Sequence, residues 1–165
     1  MTTTSNGGAD LRALMAIADR YARRLAADVS SPPAVLLVER AGELEIVALD
    51  GEGRDVLPQV RLLLGRSGAG SAALLTEAPG SQRGANGAGF WIFGESIDGT
   101  TARRRYRVRP CGRARRLTPL ADGEDPEVEA VFRPLFPDHL APGDVVGTVD
   151  GDTAPTPTTG RSVAA

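Results

Sequence analysis

The sequence predicts an α+β domain: a mostly antiparallel sheet of five to six strands with helices on one face, in the order α-β-β-α-β-β-β-β-α. Three observations carry this expectation. Apolar residues recur at helical spacing in separate stretches, strand-like runs come in pairs joined by short turns, and Asp98-Gly99 lies between two long strand-like runs. Strand pairs interleaved with helices fit a sheet covered by helices rather than alternating βαβ units. A chain of 165 residues can bury about two thirds of its unfolded surface as one domain.

The elements follow in order. Leu11, Leu14, Met15, Ala18, Ala22 and Leu25 fall on one side of a helix over 11–27, with Asp10 placed to cap it. Pro32-Pro33 ends that segment, because a residue before proline is pushed away from helical angles. Val35-Leu36-Leu37-Val38 reads as a buried strand. Glu43 to Asp50 alternates, with Leu44, Ile46 and Ala48 on one side, and a short turn at Ala41-Gly42 joins the two as a hairpin. Asp55 caps a second helix whose apolar stripe is Val56, Leu57, Val60, Leu63 and Leu64, and Pro58 is tolerated in its first turn. The glycines at 65–70 stop it. Ser71 to Ala78 is a short strand, and a glycine-rich loop over 79–89 follows. Strands over 89–97 and 100–109 flank a two-residue Asp98-Gly99 turn, and 113–120 returns after a turn at 110–112 to complete a meander. Asp125-Pro126 opens a last helix that ends before Pro134.

The expected organisation is a flexible lead over 1–8, one domain over 9–140, and a flexible acidic tail rich in Pro, Thr and Gly over 141–165. The single cysteine excludes an internal disulfide. The polar first residues lack the pattern of a signal peptide, and no apolar run approaches the ~20 residues that cross a bilayer. The expectation is a cytoplasmic protein with no membrane contact.

All nineteen basic residues are arginine, which matches the codon usage of a high-GC bacterial genome. Eight of them fall in 103–116, a stretch without an acidic residue, although the chain carries a net charge of −2. Side chains alternate along a strand, so Arg103, Arg105, Arg107 and Arg109 share one face while Arg104, Tyr106 and Val108 share the other. Arg113, with Arg115 or Arg116, adds to the row from the returning strand. Such charges face solvent or a partner, because unpaired they are too costly to bury. Two kinds of partner fit: an acidic protein or a second copy of the chain, and nucleic acid read by a two-stranded ribbon. The calculated pI near 5.5 and the 4% aromatic content weigh against nucleic acid. A third possibility is internal, since 121–165 holds nine acidic residues and two arginines, a net of −7.

Other chemistry is sparse. Cys111, between Arg109 and Arg113, is a candidate reactive thiol, yet no second cysteine exists to resolve an oxidised form. His139 is the only histidine, so neither a zinc nor an iron site is expected, and a loop position explains it. Gly65 to Ser71 lacks the Gly-Lys-Ser/Thr ending and follows a helix, so it is a connector rather than a phosphate loop. Glu39, Glu43 and Glu45 could converge across the first hairpin. Phe132, Leu135, Phe136 and Leu140 close the core or dock on a partner. No cofactor is called for. An enzyme would be signalled by a pocket joining Glu77, the 79–89 loop and an arginine.

The strand ending in Thr76-Glu77-Ala78, the glycine-rich loop and the charged hairpin after it resemble a group of small proteins from high-GC bacteria in which a Ser-Glu-Ala-Trp-like motif follows a strand. The resemblance covers Leu74 to Leu120, with Pro79 where that group has Trp, and it implies no activity. The expected function is therefore that of a small non-enzymatic interaction protein using the arginine hairpin, with nucleic-acid binding through the same hairpin as the alternative.

Overall fold

A computed structural model describes residues 7–28, 33–51, 53–77, 89–120 and 134–139. It contains α1 (Gly7–Asp28), β1 (Ala34–Arg40), β2 (Glu43–Leu49), a 3-10 turn (Gly53–Val56), α2 (Leu57–Ser67), β3 (Ser71–Glu77), β4 (Gly89–Ser96), β5 (Thr101–Cys111), β6 (Ala114–Pro119) and a 3-10 turn (Pro137–His139). The six strands form one open sheet, ordered β2-β1-β3-β4-β5-β6, and every neighbouring pair is antiparallel. The fold is α+β, as its strand pairs and helical stretches predict. The helix expected over 126–133 lies outside the described residues.

The helices were expected on one face; they cover opposite faces. Alternation in the two central strands explains why. Val35, Leu37, Ala73 and Leu75 point to α1, while Leu36, Val38, Ala72 and Leu74 point to α2, and all eight are buried. Strands this apolar on both sides require cover on both. Leu11, Leu14, Met15, Ala18, Ala22 and Ala26 make the buried stripe of α1, over Phe90, Ile92, Tyr106 and Leu117. Gly94 lets the helix lie close, since a Cβ there would sit 2.6 Å from Met15 Sδ. Val56, Leu57, Val60 and Leu64 pack α2 on the other side with Leu135 and Phe136.

Several boundaries differ from expectation for local reasons. α1 begins at Gly7, so Asp10 lies in its first turn, where its charge complements the helix dipole, and is not a cap. Val56 occupies the N-cap of α2 without a side-chain bond, and Asp55 falls in the preceding 3-10 turn. Leu63 is 38% exposed, on the outer side of α2 with Leu62. Gly68, at φ +65°, terminates the helix. On β2 the inward residues are Val47 and Leu49; Leu44, Ile46 and Ala48 face α1's side of the sheet, where the helix does not reach, and are exposed.

The turns sort by φ. Ala41 (+52°) and Gly42 (+84°) are both left-handed between the paired Arg40 and Glu43, the pattern of a type I′ turn. The Asp98-Gly99 hairpin is not a two-residue turn. Ser96 N donates to Thr100 O and Gly99 N to Ser96 O, leaving Ile97-Asp98-Gly99 as a three-residue loop with Gly99 alone at positive φ. This is a type I turn closed by a glycine bulge. Gly112, at +61°, is the first of two residues between Cys111 and Ala114, the place a type II′ turn requires a left-handed residue.

Candidate functional site

Tyr106 is buried against α1, which fixes the orientation of β5. Even-numbered residues point to α1, so Arg103, Arg105, Arg107 and Arg109 project from the opposite face, as alternation predicts. At ~3.3 Å per residue the row spans about 20 Å. Arg116 pairs with Arg109 across β6 and joins it; Arg115, opposite Pro110, points to the α1 side, and Arg113 is exposed in the turn. Of the two alternatives for the returning strand, Arg116 is the one that extends the face.

Trp91 belongs to this surface. It is the cross-strand partner of Arg105, whose guanidinium carbon lies 5.6 Å from the Trp91 ring centroid. Such a stack contributes about 0.5–1 kcal/mol at an exposed site and holds the guanidinium plane. Nearer α2 the same face becomes apolar through Phe93 and Leu74. Arg107, Arg109, Arg113 and Arg116 have no salt-bridge partner among the described residues.

Arg104, on the α1 side, is committed internally. Asp19 lies 3.5 Å from its guanidinium and also accepts from Arg23 Nε at 3.1 Å and from the Tyr106 hydroxyl. Burial raises the Asp19 carboxyl, but the hydrogen bonds from Tyr106 and Arg23 outweigh it and bring the carboxyl below its ordinary value. Burial and the Asp19 bond push the Tyr106 hydroxyl up, so it stays protonated and donates. Arg23 caps the cluster 5.5 Å over the Tyr106 ring. This network fastens α1 to β5, and it could be seen in the sequence only once the helix was placed on Tyr106.

A second polar cluster holds the segment 134–139. Glu95 is 2% exposed, and its carboxylate accepts from Leu135 N at 2.5 Å and faces His139 Nδ1 at 2.5 Å. His139 Nε2 lies 2.9 Å from Ile97 O. A carbonyl and a carboxylate are both acceptors, an arrangement that favours the doubly protonated imidazole, and the Glu95 bond raises its pKa from the ordinary value of 6.5. Arg61 Nε also donates to Pro134 O at 3.1 Å. Leu135 and Phe136 are buried, so this segment closes the core.

The remaining candidates are dispersed. Cys111 is exposed at the end of β5. Glu39 accepts from Gly42 N at 2.7 Å and bonds Ser71, while Glu43 and Glu45 lie on the other face of the hairpin, so the three carboxylates do not converge. Glu77 ends β3 opposite Phe90, and the 79–88 part of the loop expected beside it lies outside the described residues, as does the acidic tail. Among the described residues no group of His, Cys, Asp or Glu could hold a metal ion, and no helix is long and apolar enough to cross a membrane. Comparison with protein families, curated proteins and solved structures gives no match.

Proposed function

We propose that the chain is a small binding protein whose arginine face docks an acidic segment of another protein. The observation that supports this is the alignment of Arg103, Arg105, Arg107, Arg109 and Arg116 on one side of a continuous antiparallel ladder. A ladder spaces the guanidiniums regularly, and a guanidinium is a planar fork that matches a carboxylate bidentately; Arg107, Arg109 and Arg116 have no salt-bridge partner among the described residues. Trp91, half-buried beside Arg105, adds an aromatic contact to the strip, so an acidic segment that also carries an apolar residue suits it. The role is non-enzymatic and is proposed for the cytoplasm.

Nucleic acid is the second reading, favoured by Trp91 as a stacking platform beside a basic strip. A net charge of −2 and a single tryptophan support it less. Fluorescence anisotropy of the full chain with a labelled glutamate-rich peptide, and with single- and double-stranded oligonucleotides, separates the two. The peptide is expected to bind more tightly at every salt concentration. Tighter oligonucleotide binding, with a log-log salt slope of about −3.6 on the duplex or about −2.8 on the single strand for four phosphate contacts, would replace the leading reading by the second.

A further inference from the structure

The two edges of the sheet are treated differently. β6 carries Pro119, Arg115 and Arg116 and packs under α1, all devices that discourage a further strand. β2 has none of them: its seven residues, Glu-Leu-Glu-Ile-Val-Ala-Leu, contain no proline, basic residue or bulge. Its Leu44 and Ile46 are 41% and 46% exposed, and Ala48 is exposed beside them. A long, regular edge strand with an apolar stripe is a template for strand addition.

The backbone phase of β2 follows from its turn. Arg40 and Glu43 flank a two-residue loop and so exchange both hydrogen bonds; the alternation then leaves Leu44, Ile46 and Ala48 with their N–H and C=O directed to the open edge. We infer that this edge pairs with the β2 strand of a second copy of the chain, antiparallel about a two-fold axis at Ile46. The strand is self-complementary in that register. With Ile46 opposite its mate, Leu44 faces Ala48 and all seven residues pair, Glu43 with Leu49 and Glu45 with Val47. Every outward-directed residue meets another outward-directed residue, as an antiparallel ladder demands. Shifting the centre by one residue to Val47 leaves Glu43 and Leu44 without partners in the strand, and centring on Glu45 sets two carboxylates face to face, which is destabilising.

Charge and hydrophobicity select the same register. On the α1 side the two copies join Leu44, Ile46 and Ala48 into one apolar strip, and on the α2 side the two Glu45 residues stand on a diagonal, about 7–8 Å apart, rather than directly opposite. A pairing ~24 Å long is small, so the dimer belongs to the weak class, with a Kd of about 1–100 µM. This surface is separate from the arginine face, which stays open at the far side of each copy.

The test is sedimentation velocity of the full chain from about 1 to 100 µM. The expected result is a concentration-dependent monomer–dimer equilibrium. Ile46→Lys and Ile46→Glu, each placing like charges at the dyad, are expected to weaken it at least about tenfold, and an equimolar mixture of the two to restore a dimer. Because Ile46 is exposed, both variants keep the wild-type circular dichroism and urea midpoint. A wild-type monomer throughout, a dimer that Ile46→Lys leaves unchanged, or a mixture that stays monomeric would each overturn the inference.

Discussion

His139 Nδ1 lies 2.5 Å from Glu95 Oε1, joining the last described segment to the end of β4 across 44 residues of chain. The contact places an imidazole and a carboxyl together at the margin of the α2-side core, beside buried Leu135 and Phe136. The same carboxylate takes the Leu135 N–H, so one side chain seats both ends of the 3-10 turn region.

The pair makes stability depend on pH with a definite sign. The folded-state pKa of His139 is raised above its unfolded value, so the contribution is complete below about pH 6.5 and fades as pH rises through the folded pKa. As the chain's only histidine, His139 gives a single imidazole signal in NMR. That signal is expected to titrate above 6.5 in the wild type and to fall toward 6.5 in Glu95→Gln. A wild-type midpoint at or below 6.5 would contradict the assignment.

Glu95→Ala strips partners from His139 and from the buried Leu135 N–H together. A loss of about 2–4 kcal/mol in urea unfolding is expected, since a buried pair broken on one side leaves the other uncompensated. A change under about 0.5 kcal/mol would mean that Pro134 to His139 contributes little to the core.

The Asp19–Tyr106 contact predicts a coupled pair. Tyr106→Phe is expected to cost about 1 kcal/mol, and less in an Asp19→Ala background, because the hydroxyl then has no acceptor to lose. Additive losses in the double-mutant cycle would show that the two side chains act independently. The depressed Asp19 carboxyl adds stability that is present above about pH 3.8 and lost as pH falls below it.

Backbone geometry gives two predictions of opposite sign. Ala41 sits at φ +52°, where Asn is better tolerated, so Ala41→Asn is expected to stabilise by about 0.5–1 kcal/mol. Gly94→Ala drives a Cβ to 3.0 Å from Leu11 Cδ1 and closer still to Met15, and should destabilise by about 1–3 kcal/mol, partly recovered by Met15→Ala. Thermal melts of the three variants check both signs.

Much of this architecture is visible in the residues. Two turn positions at Ala41-Gly42, the stripe of α1 and the face shared by Arg103 to Arg109 follow from periodicity and turn chemistry alone. The position of Trp91 does not, because it depends on one residue of loop. A two-residue Asp98-Gly99 turn would set Trp91 opposite Tyr106; the three-residue loop sets it opposite Arg105. The buried Phe90 and Ile92 share the face of Tyr106 only with the longer loop, so the apolar pattern held the answer that the dipeptide obscured. The opposite placement of the helices was likewise implicit in β1 and β3, whose side chains are apolar in both directions. By contrast, the Glu95–His139 and Asp19–Tyr106 contacts join residues 44 and 87 positions apart, and no local spacing announces them.

The sole tryptophan stands on the arginine face, stacked by Arg105, and therefore reports its occupancy. The most direct measurement is Trp91 emission of the full chain during titration with a glutamate-rich peptide at low and at physiological salt, for the wild type and for Arg107→Glu/Arg109→Glu. A saturable change that weakens with salt and disappears in the double variant is the predicted result. No change at low salt, or an equal change in the double variant, would contradict the arginine face as the binding surface.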